Sequence, residues 1–279
     1  MRILVTGVKG QLGYDVVREL EKRGHIAIGV DIEEMDITCA RQVRDGIEAD
    51  VDGVIHCAAY TAVDGAEDHQ ELCKQVNVTG TENIAKVCRD LDIKMIYIST
   101  DYVFSGEGEN FWKPEDLREP LNVYGESKYQ GELAVESILE KYFIVRIAWV
   151  FGENGNNFVK TMLRLAEIKD ELNVVNDQVG SPTYTADLAV LLVDMIGTDK
   201  YGKYHATNEG LCTWYEFALQ IFKEAGIEMP VHPVSSEAFP VKAKRPHNSR
   251  MDKSKLDEEG FSRLPAWQDA LERYLKTIL

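Results

Sequence analysis

The chain has 279 residues, 44% apolar and 28% charged, which is a globular composition with room for one large domain or two coupled ones. Its formal net charge of −16 argues against nucleic-acid binding, and an anionic ligand would need a local positive patch. No run of about 18 apolar residues occurs, so we expect no membrane span. We also expect no signal peptide, since the N-terminus enters an apolar strand directly. The five cysteines include no C-x-x-C pair and predict reduced thiols in the cytoplasm.

The first stretch of the chain predicts a dinucleotide-binding turn. Ile3–Val5 has the length of a buried parallel strand, and apolar residues after Gly13 recur at helical spacing. The loop between strand and helix, which would hold a pyrophosphate at the helix N-terminus, comprises Gly7, Lys9, Gly10, Gln11, Leu12 and Gly13. The spacing G-x-x-G-x-x-G is weak evidence alone, but its place between the first strand and the first helix favours cofactor binding.

The second and third predicted strands end in residues suited to the same cofactor. Asp31 ends the strand Ile26–Val30, where a carboxylate can accept hydrogen bonds from the adenosine ribose and would repel a 2′-phosphate. This favours NADH, but Lys9 can offset the repulsion and leaves NADPH open. Ala58, Ala59 and Tyr60 follow the third strand, where small residues would let a cofactor pass; Tyr60 is equally well a surface aromatic.

Two later segments carry residues for proton transfer. Thr100 ends a strand over residues 94–99, and Tyr124 and Lys128 lie four residues apart on a predicted helix, so both side chains share one face. A lysine ammonium one turn away favours the phenolate and should lower the pKa of Tyr124. Thr100 would hydrogen-bond the substrate oxygen. A Y-x-x-x-K pair is common by chance, but a glycine turn, a strand-end threonine and this pair in order are not.

The second half of the chain predicts a smaller substrate domain. Helices are predicted over 158–168, 187–196, 214–226 (capped by Thr213) and 267–278, with a strand over 202–206. We expect 187–206 to return to the first sheet. The cofactor domain would then comprise 1–150 and about 187–206, and the discontinuous substrate domain 151–186 and 207–279. Lys242, Lys244 and Arg245 form a basic cluster in an acidic chain, and Arg245 can grip a diphosphate.

Together these motifs make the chain similar to the extended short-chain dehydrogenase/reductases. The resemblance runs nearly end to end. It is carried by Thr6–Gly13, Ala58–Thr61, Asn77–Gly80, Ser99–Gly106 (STDYVFSG), Asn122–Lys128 (NVYGESK), Arg146–Gly152, Asn157-Phe158, Asp177–Thr183 (DQVGSPT) and Arg245-Pro246. Within that family it matches the branch that reduces the C4 keto group of dTDP-4-dehydro-6-deoxy-L-mannose to dTDP-L-rhamnose. It implies an α/β, Rossmann-type doubly wound parallel sheet with a smaller, discontinuous C-terminal α/β domain.

The resemblance also assigns roles to residues. Tyr124 would donate the proton, Lys128 would tune it and hold the nicotinamide ribose, and Thr100 would position the C4 carbonyl. Asp36 and Ile37 would flank the adenine. Asn77, whose side chain either braces the backbone or is solvated, would belong to the cofactor side. The substrate side would comprise Thr100, Asp101, Val103, Phe104, Trp149, Asn157 and Arg245.

The resemblance leaves other functions and partners open. Asp15 and Asp187 match only part of the acidic pattern with which some relatives bind magnesium between subunits, so we predict no metal and a monomer or homodimer. One alternative function is another extended enzyme, a nucleotide-sugar epimerase or dehydratase; a dehydratase tends to carry acids beside the Ser/Thr, and here only Asp101 follows Thr100. The other alternative is a non-catalytic, cofactor-binding regulatory subunit. An intact Thr100, Tyr124 and Lys128 argue against it.

Overall fold

The computed structural model describes residues 1–279. The predicted glycine turn follows the first strand, at the carboxyl ends of the strands of a six-stranded sheet. The strands are β1 Arg2–Thr6, β2 Ile26–Val30, β3 Gly53–His56, β4 Lys94–Thr100, β5 Tyr142–Ile147, β6 Val150–Phe151, β7 Leu172–Val175, β8 Val179–Gly180, β9 Thr183–Tyr184, β10 Gly202–His205, β11 Cys212–Thr213 and β12 Val231–Val234. The helices are α1 Gln11–Lys22, α2 Ala40–Gly46, α3 Val63–Asp68, α4 Gln70–Lys74, α5 Thr81–Asp90, α6 Val123–Ile138, α7 Phe158–Ala166, α8 Thr185–Ile196, α9 Trp214–Ala225, α10 Ser254–Glu258 and α11 Trp267–Ile278. None of the helices is long and apolar enough to cross a bilayer.

The main sheet has the strand order β2-β1-β3-β4-β5-β10, and every neighbouring pair is parallel. Helices cover both faces, since one core cluster includes residues of α1 and α8 and a second includes residues of α2, α5 and α6. The predicted doubly wound α/β fold is confirmed. The order reverses at β1, so a crevice opens between the carboxyl ends of β1 and β3, where such sheets bind ligands.

The elements after β5 divide between the sheet and a third core. α8 packs against α1, and β10 pairs with β5 at the end of the main sheet. The third core is rich in aromatic residues and lies among α7, α9 and α11. Thr213 caps α9 with the predicted side-chain bond, to the Glu216 N–H at 3.1 Å. The exact domain boundaries stay a prediction.

The sequence from Glu67 to Leu91 predicts one long helix with a possible interruption near Val78–Gly80. The structure instead has α3, α4, a π-helical segment at Gln75–Gly80 and α5 in this region, so the interruption exists but is wider than predicted. The Thr81 hydroxyl donates to the Asn77 carbonyl at 2.8 Å, inside this segment. Single π-helical turns are frequent at functional sites, and this one aims the Asn77 side chain at Tyr60.

Candidate active site

A cleft of about 920 Å³ opens at the carboxyl edge of the sheet, between the glycine turn and the start of α6. Its size is that of a cofactor or small-molecule site. Most of the predicted site residues line it: Gly7, Lys9, Gly10, Gln11, Leu12, Gly13, Asp31, Asp36, Ile37, Ala58, Ala59, Tyr60, Thr100, Asp101, Tyr124, Lys128 and Trp149.

The glycine turn fits a pyrophosphate. Gly7 has φ +70°, a conformation that favours glycine. A Cβ on Gly13 would lie 2.3 Å from the Gly7 carbonyl oxygen, so only glycine at position 13 lets α1 pack against the turn that precedes it. α1 has no side-chain cap at Gly10, which leaves its first N–H groups free for an anion. Beneath the turn, His56 Nδ1 lies 2.7 Å from the Thr6 hydroxyl, and burial lowers the pKa of His56 to about 3. His56 is therefore a neutral core residue.

Asp31 lines the cleft just after β2 and is bonded to the loop backbone. Its two carboxylate oxygens accept from the N–H groups of Lys9 at 3.0 Å and Ile32 at 2.9 Å. The Lys9 ammonium is paired with Glu33 at 2.7 Å, so its charge is already engaged beside Asp31. The sequence suggested that Lys9 could offset the charge of Asp31, but in the structure the Lys9 ammonium is paired with Glu33.

Asn77 supports the cleft from behind. The side chain is buried and exchanges two hydrogen bonds with the Tyr60 backbone, accepting from its N–H at 2.8 Å and donating to its carbonyl at 3.1 Å. It also donates to the Ser127 hydroxyl at 2.9 Å on α6. Of the two readings of Asn77, the structure shows the bracing one, and Asn77 does not line the cleft.

Tyr124 and Lys128 share one face of α6, as predicted, and both line the cleft. The Asn122 side chain caps the helix by accepting from the Gly125 N–H at 2.8 Å. A Cβ on Gly125 would lie 2.3 Å from the Tyr102 carbonyl oxygen. Glycine at this position lets the first turn of α6 approach the turn after β4, which brings Tyr124 beside Thr100.

The expected effect of Lys128 on Tyr124 is not found in this structure. Burial raises the pKa of Tyr124 above its ordinary value, and the neighbouring Thr100 hydroxyl opposes that shift. Burial also lowers the pKa of Lys128 to about 7, against the attraction of Glu132. Lys128 stacks over the Tyr97 ring, with Nζ 4.1 Å from the centroid. Desolvation is therefore the largest cause of the pKa shift of both groups, and the Tyr124 phenol stays protonated at neutral pH.

Five predicted residues lie outside the cleft lining. Asn77 is one of them, and Val103 and Phe104 are two more, both fully buried in the core, with Phe104 stacked on Trp112. Asn157 caps α7 and donates to the Tyr274 hydroxyl at 3.0 Å. Arg245 donates to both oxygens of Asp64, at 3.2 and 2.7 Å, and the Tyr102 phenol faces it.

The rest of the basic cluster is paired as well. Lys242 contacts Asp68, and Lys244 lies 3.7 Å from Glu107. The basic cluster is thus largely neutralised by acidic residues from other parts of the chain.

The structure adds residues that the sequence analysis did not assign to the site. Met35, Leu72 and Val76 give the cleft an apolar wall beside Asp36 and Ile37. Tyr102 meets Tyr124 edge-on, with ring centroids 5.5 Å apart. Ser249 donates to Asp101 from a loop 148 residues further along the chain. Only Tyr102 had a sequence signal, its place in the STDYVF block.

Comparisons with known proteins point to one family. A family model described as RmlD substrate binding domain matches residues 1–279. A dTDP-4-dehydrorhamnose reductase of Aggregatibacter actinomycetemcomitans is 41% identical over 286 residues, which cover 97% of each chain. The solved structure of a dTDP-4-dehydrorhamnose reductase from Clostridium acetobutylicum has a TM-score of 0.97 and 39% identity, over 100% of this chain and 99% of that one. One from Bacillus anthracis, in complex with NADP, has a TM-score of 0.96 and 42% identity, over 99% of both chains.

Proposed function

Because the chain belongs to the dTDP-4-dehydrorhamnose reductase family, we propose that it reduces the C4 keto group of dTDP-4-dehydro-β-L-rhamnose to give dTDP-L-rhamnose. This is the last step of dTDP-rhamnose synthesis, and the reductant is NADH or NADPH. The resemblance seen in the sequence motifs is confirmed by the family match. The observation that carries the proposal is the meeting of Tyr124, Lys128 and Thr100 in the cleft that begins at the glycine turn.

The residues of the cleft fit a dinucleotide along its whole length. The open N-terminus of α1 would hold the pyrophosphate, Asp31 the adenosine ribose, and Lys128 the nicotinamide ribose. Bound NADH or NADPH supplies the hydride that is added to C4. Ala58 and Ala59 leave room for the cofactor, and the Tyr60 backbone beside them is fixed by Asn77.

Tyr124 is the proton donor of the reaction. Its raised pKa keeps the phenol protonated, and the growing negative charge on the C4 oxygen makes that oxygen a strong acceptor. After the transfer, a protonated Lys128 one helical turn away would stabilise the phenolate. Trp149 lines the substrate end of the cleft and is stacked on Trp214, with ring centroids 3.8 Å apart, so its other face is available to a sugar or a base.

The test is to follow absorbance at the reduced nicotinamide band while offering several nucleotide 4-keto sugars with each cofactor. We expect turnover with the dTDP-linked 4-keto-6-deoxy sugar and formation of dTDP-L-rhamnose. Product with an inverted hydroxyl and no net cofactor oxidation would instead identify an epimerase. Tight cofactor binding without turnover of any sugar would identify a regulatory subunit.

The remaining predictions on partners belong to this proposal. We propose a cytoplasmic enzyme without a nucleic-acid partner, acting as a monomer or homodimer; the unpaired thiols and the acidic surface support this. Asp187 accepts from both Arg273 Nη atoms at 2.8 Å, and Asp15 accepts from the Thr185 hydroxyl. Both carboxylates are therefore engaged within the chain, which supports the absence of magnesium between subunits. Size-exclusion chromatography with and without magnesium tests this point.

A further inference from the structure

A loop from the second half of the chain lies against the glycine turn. It comprises residues 153–157 and connects β6 to α7. The Asn154 side-chain amide donates to the Lys9 carbonyl at 2.7 Å, and the Asn157 amide donates to the Gln11 side chain at 3.1 Å. The loop therefore contacts both the middle of the glycine turn and the first residue of α1.

This loop is held in place by α7. The Lys160 ammonium donates to two loop carbonyls, that of Glu153 at 2.6 Å and that of Gly155 at 2.8 Å. Asn157 is buried and caps α7 by accepting from the Lys160 N–H at 3.0 Å. Gly155 has φ +73°, which lets the chain turn tightly between these two anchors. Asn154 is therefore presented to the glycine turn by a loop that is already ordered.

The contact with Asn154 completes the hydrogen bonding of the Lys9 backbone. The Lys9 N–H donates to the Asp31 carboxylate at 3.0 Å, and the Lys9 carbonyl accepts from Asn154. The N–H of the same peptide unit, on Gly10, donates to the Gly7 carbonyl at 3.0 Å. A carbonyl oxygen only accepts, so the Asn154 group that faces it is the NH₂. The peptide unit before α1 is thus held at both its oxygen and its nitrogen.

The orientation of this peptide unit determines how the N-terminus of α1 meets an anion. The N–H groups of Gln11, Leu12 and Gly13 donate to no backbone carbonyl, so they are the donors that a pyrophosphate would meet. A turn that contains three glycines loses much conformational entropy when it becomes ordered. A turn that is ordered before the cofactor arrives does not charge that loss to the cofactor affinity.

We propose that Asn154 is a positioning residue for cofactor binding, which holds the glycine turn in the conformation that presents the N–H groups of α1 to the cofactor pyrophosphate. The inference deepens the proposed function and rests on it for the identity of the ligand, a nicotinamide dinucleotide. Asn154 acts without lining the cleft. The Arg18–Glu153 ion pair joins the same loop to α1 at 2.7 Å, but its side chains are 56% and 41% exposed, so we expect little from it.

The first experiment measures the Kd of NADH and of NADPH by nicotinamide fluorescence, with no sugar present. We expect Asn154→Ala to raise both values about three- to tenfold, the effect of losing one hydrogen bond. Asn156→Ala is the matched control, because it makes the same change two residues away at an exposed side chain. The Kd values of this control should stay within about twofold of those of the unmodified chain. Equal Kd values in the two variants would overturn the inference.

The second experiment uses a readout that a general loss of structure would not give. ADP-ribose carries the pyrophosphate, whereas adenosine carries only the base and one ribose. Asn154→Ala should raise the Kd of ADP-ribose by the same factor as that of NADH, because both ligands use the N–H groups of α1. The Kd of adenosine, measured by NMR titration, should change by less than about twofold. An equal rise for ADP-ribose and adenosine would contradict the inference.

The third measurement needs no ligand and separates this inference from the proposed function. Hydrogen–deuterium exchange of peptides that cover residues 7–13 reports how ordered the glycine turn is. We expect exchange to be faster in Asn154→Ala than in Asn156→Ala or in the unmodified chain. Unchanged exchange in Asn154→Ala would sink the inference even in a chain that reduces the dTDP sugar. Faster exchange and weaker cofactor binding in a chain without turnover would support the inference while sinking the proposed function.

Discussion

Arg146 and Glu132 form an ion pair in which neither side chain has any exposed surface, with both Nε–Oε1 and Nη2–Oε2 at 2.7 Å. Glu132 lies one turn after Lys128 on α6, and it also accepts from the Ser99 hydroxyl at 2.6 Å, next to Thr100. Burial by itself would raise the pKa of Glu132, but the bonds from Arg146 keep it below its ordinary value. The pair therefore locks the helix that carries Tyr124 and Lys128 to the strands β4 and β5.

Glu132→Gln should strongly destabilise the fold, because it leaves the Arg146 charge buried without its counter-ion. We expect the free energy of unfolding in urea to fall by about 3–5 kcal/mol. Glu136→Gln, on the same helix but in a partly exposed pair with Arg118, should cost less than about 1 kcal/mol. If both variants lower the free energy of unfolding by the same amount, the buried Arg146–Glu132 pair contributes no more to stability than the partly exposed pair.

Tyr124→Phe should lower kcat by about 10²–10⁴-fold, since it removes the proton donor and little else. Cofactor Kd should remain nearly unchanged. Tyr129→Phe is the matched control, because Tyr129 lies on the same helix and its ring contacts Arg118 rather than the cleft. Near-normal turnover of Tyr124→Phe in the nicotinamide absorbance assay would show that Tyr124 is not the acid.

Lys128 should make the stability of the unliganded chain depend on pH in an unusual direction. Its pKa is about 7 in the fold against 10.5 ordinarily, so between these values the unfolded chain binds more protons and stability rises with pH. Below about pH 7 Lys128 is protonated in the folded chain as well, so the full cost of burying its charge lowers the free energy of unfolding.

Lys128→Met removes this titration. Between pH 7 and pH 10 the free energy of unfolding of the unmodified chain should gain about 2–4 kcal/mol relative to the variant. Thiols and phenols that do not interact with Lys128 titrate alike in both chains and cancel in the difference. The Lys128 charge lowers the pKa of the Cys57 and Cys73 thiols, so these two cancel only in part. If the free energy of unfolding, measured in urea, changes with pH equally in the unmodified chain and in Lys128→Met, the pKa of Lys128 is not lowered by the fold.

The motifs predicted the local parts of the site better than its long-range connections. The glycine turn, the ends of β2 and β3, and the Tyr124–Lys128 face depend on spacing within single elements, which the sequence displays directly. Partners such as Ser249 for Asp101 or Asp64 for Arg245 are set by tertiary packing, and nothing local marks them. The prediction that the pKa of Tyr124 is lowered was wrong for a related reason. A spacing of four residues shows that two side chains are near each other, but it does not show how deeply they are buried.

Asp31→Ala should shift cofactor preference toward NADPH, because the carboxylate that repels a 2′-phosphate is lost. We expect the ratio of kcat/KM for NADPH to that for NADH to rise about tenfold, as for the loss of one charged contact. Lys9→Ala should move the ratio the other way, since Lys9 is a cation near the same position. An unchanged ratio in Asp31→Ala would show that Asp31 acts only through its bonds to the loop backbone.

Arg245→Ala should raise KM for the nucleotide sugar about tenfold and KM for the cofactor much less, if Arg245 grips the substrate diphosphate. Asp64 accepts hydrogen bonds from both terminal nitrogens of the Arg245 guanidinium, and 28% of the Arg245 side chain is exposed. A diphosphate offers the same pair of acceptors with more charge, so it can replace the carboxylate. Lys244→Ala serves as the control, because this neighbouring cation is loosely paired and mostly exposed. A larger effect on the cofactor than on the sugar would place the diphosphate elsewhere and leave Arg245 as a clasp between α3 and the loop that follows β12.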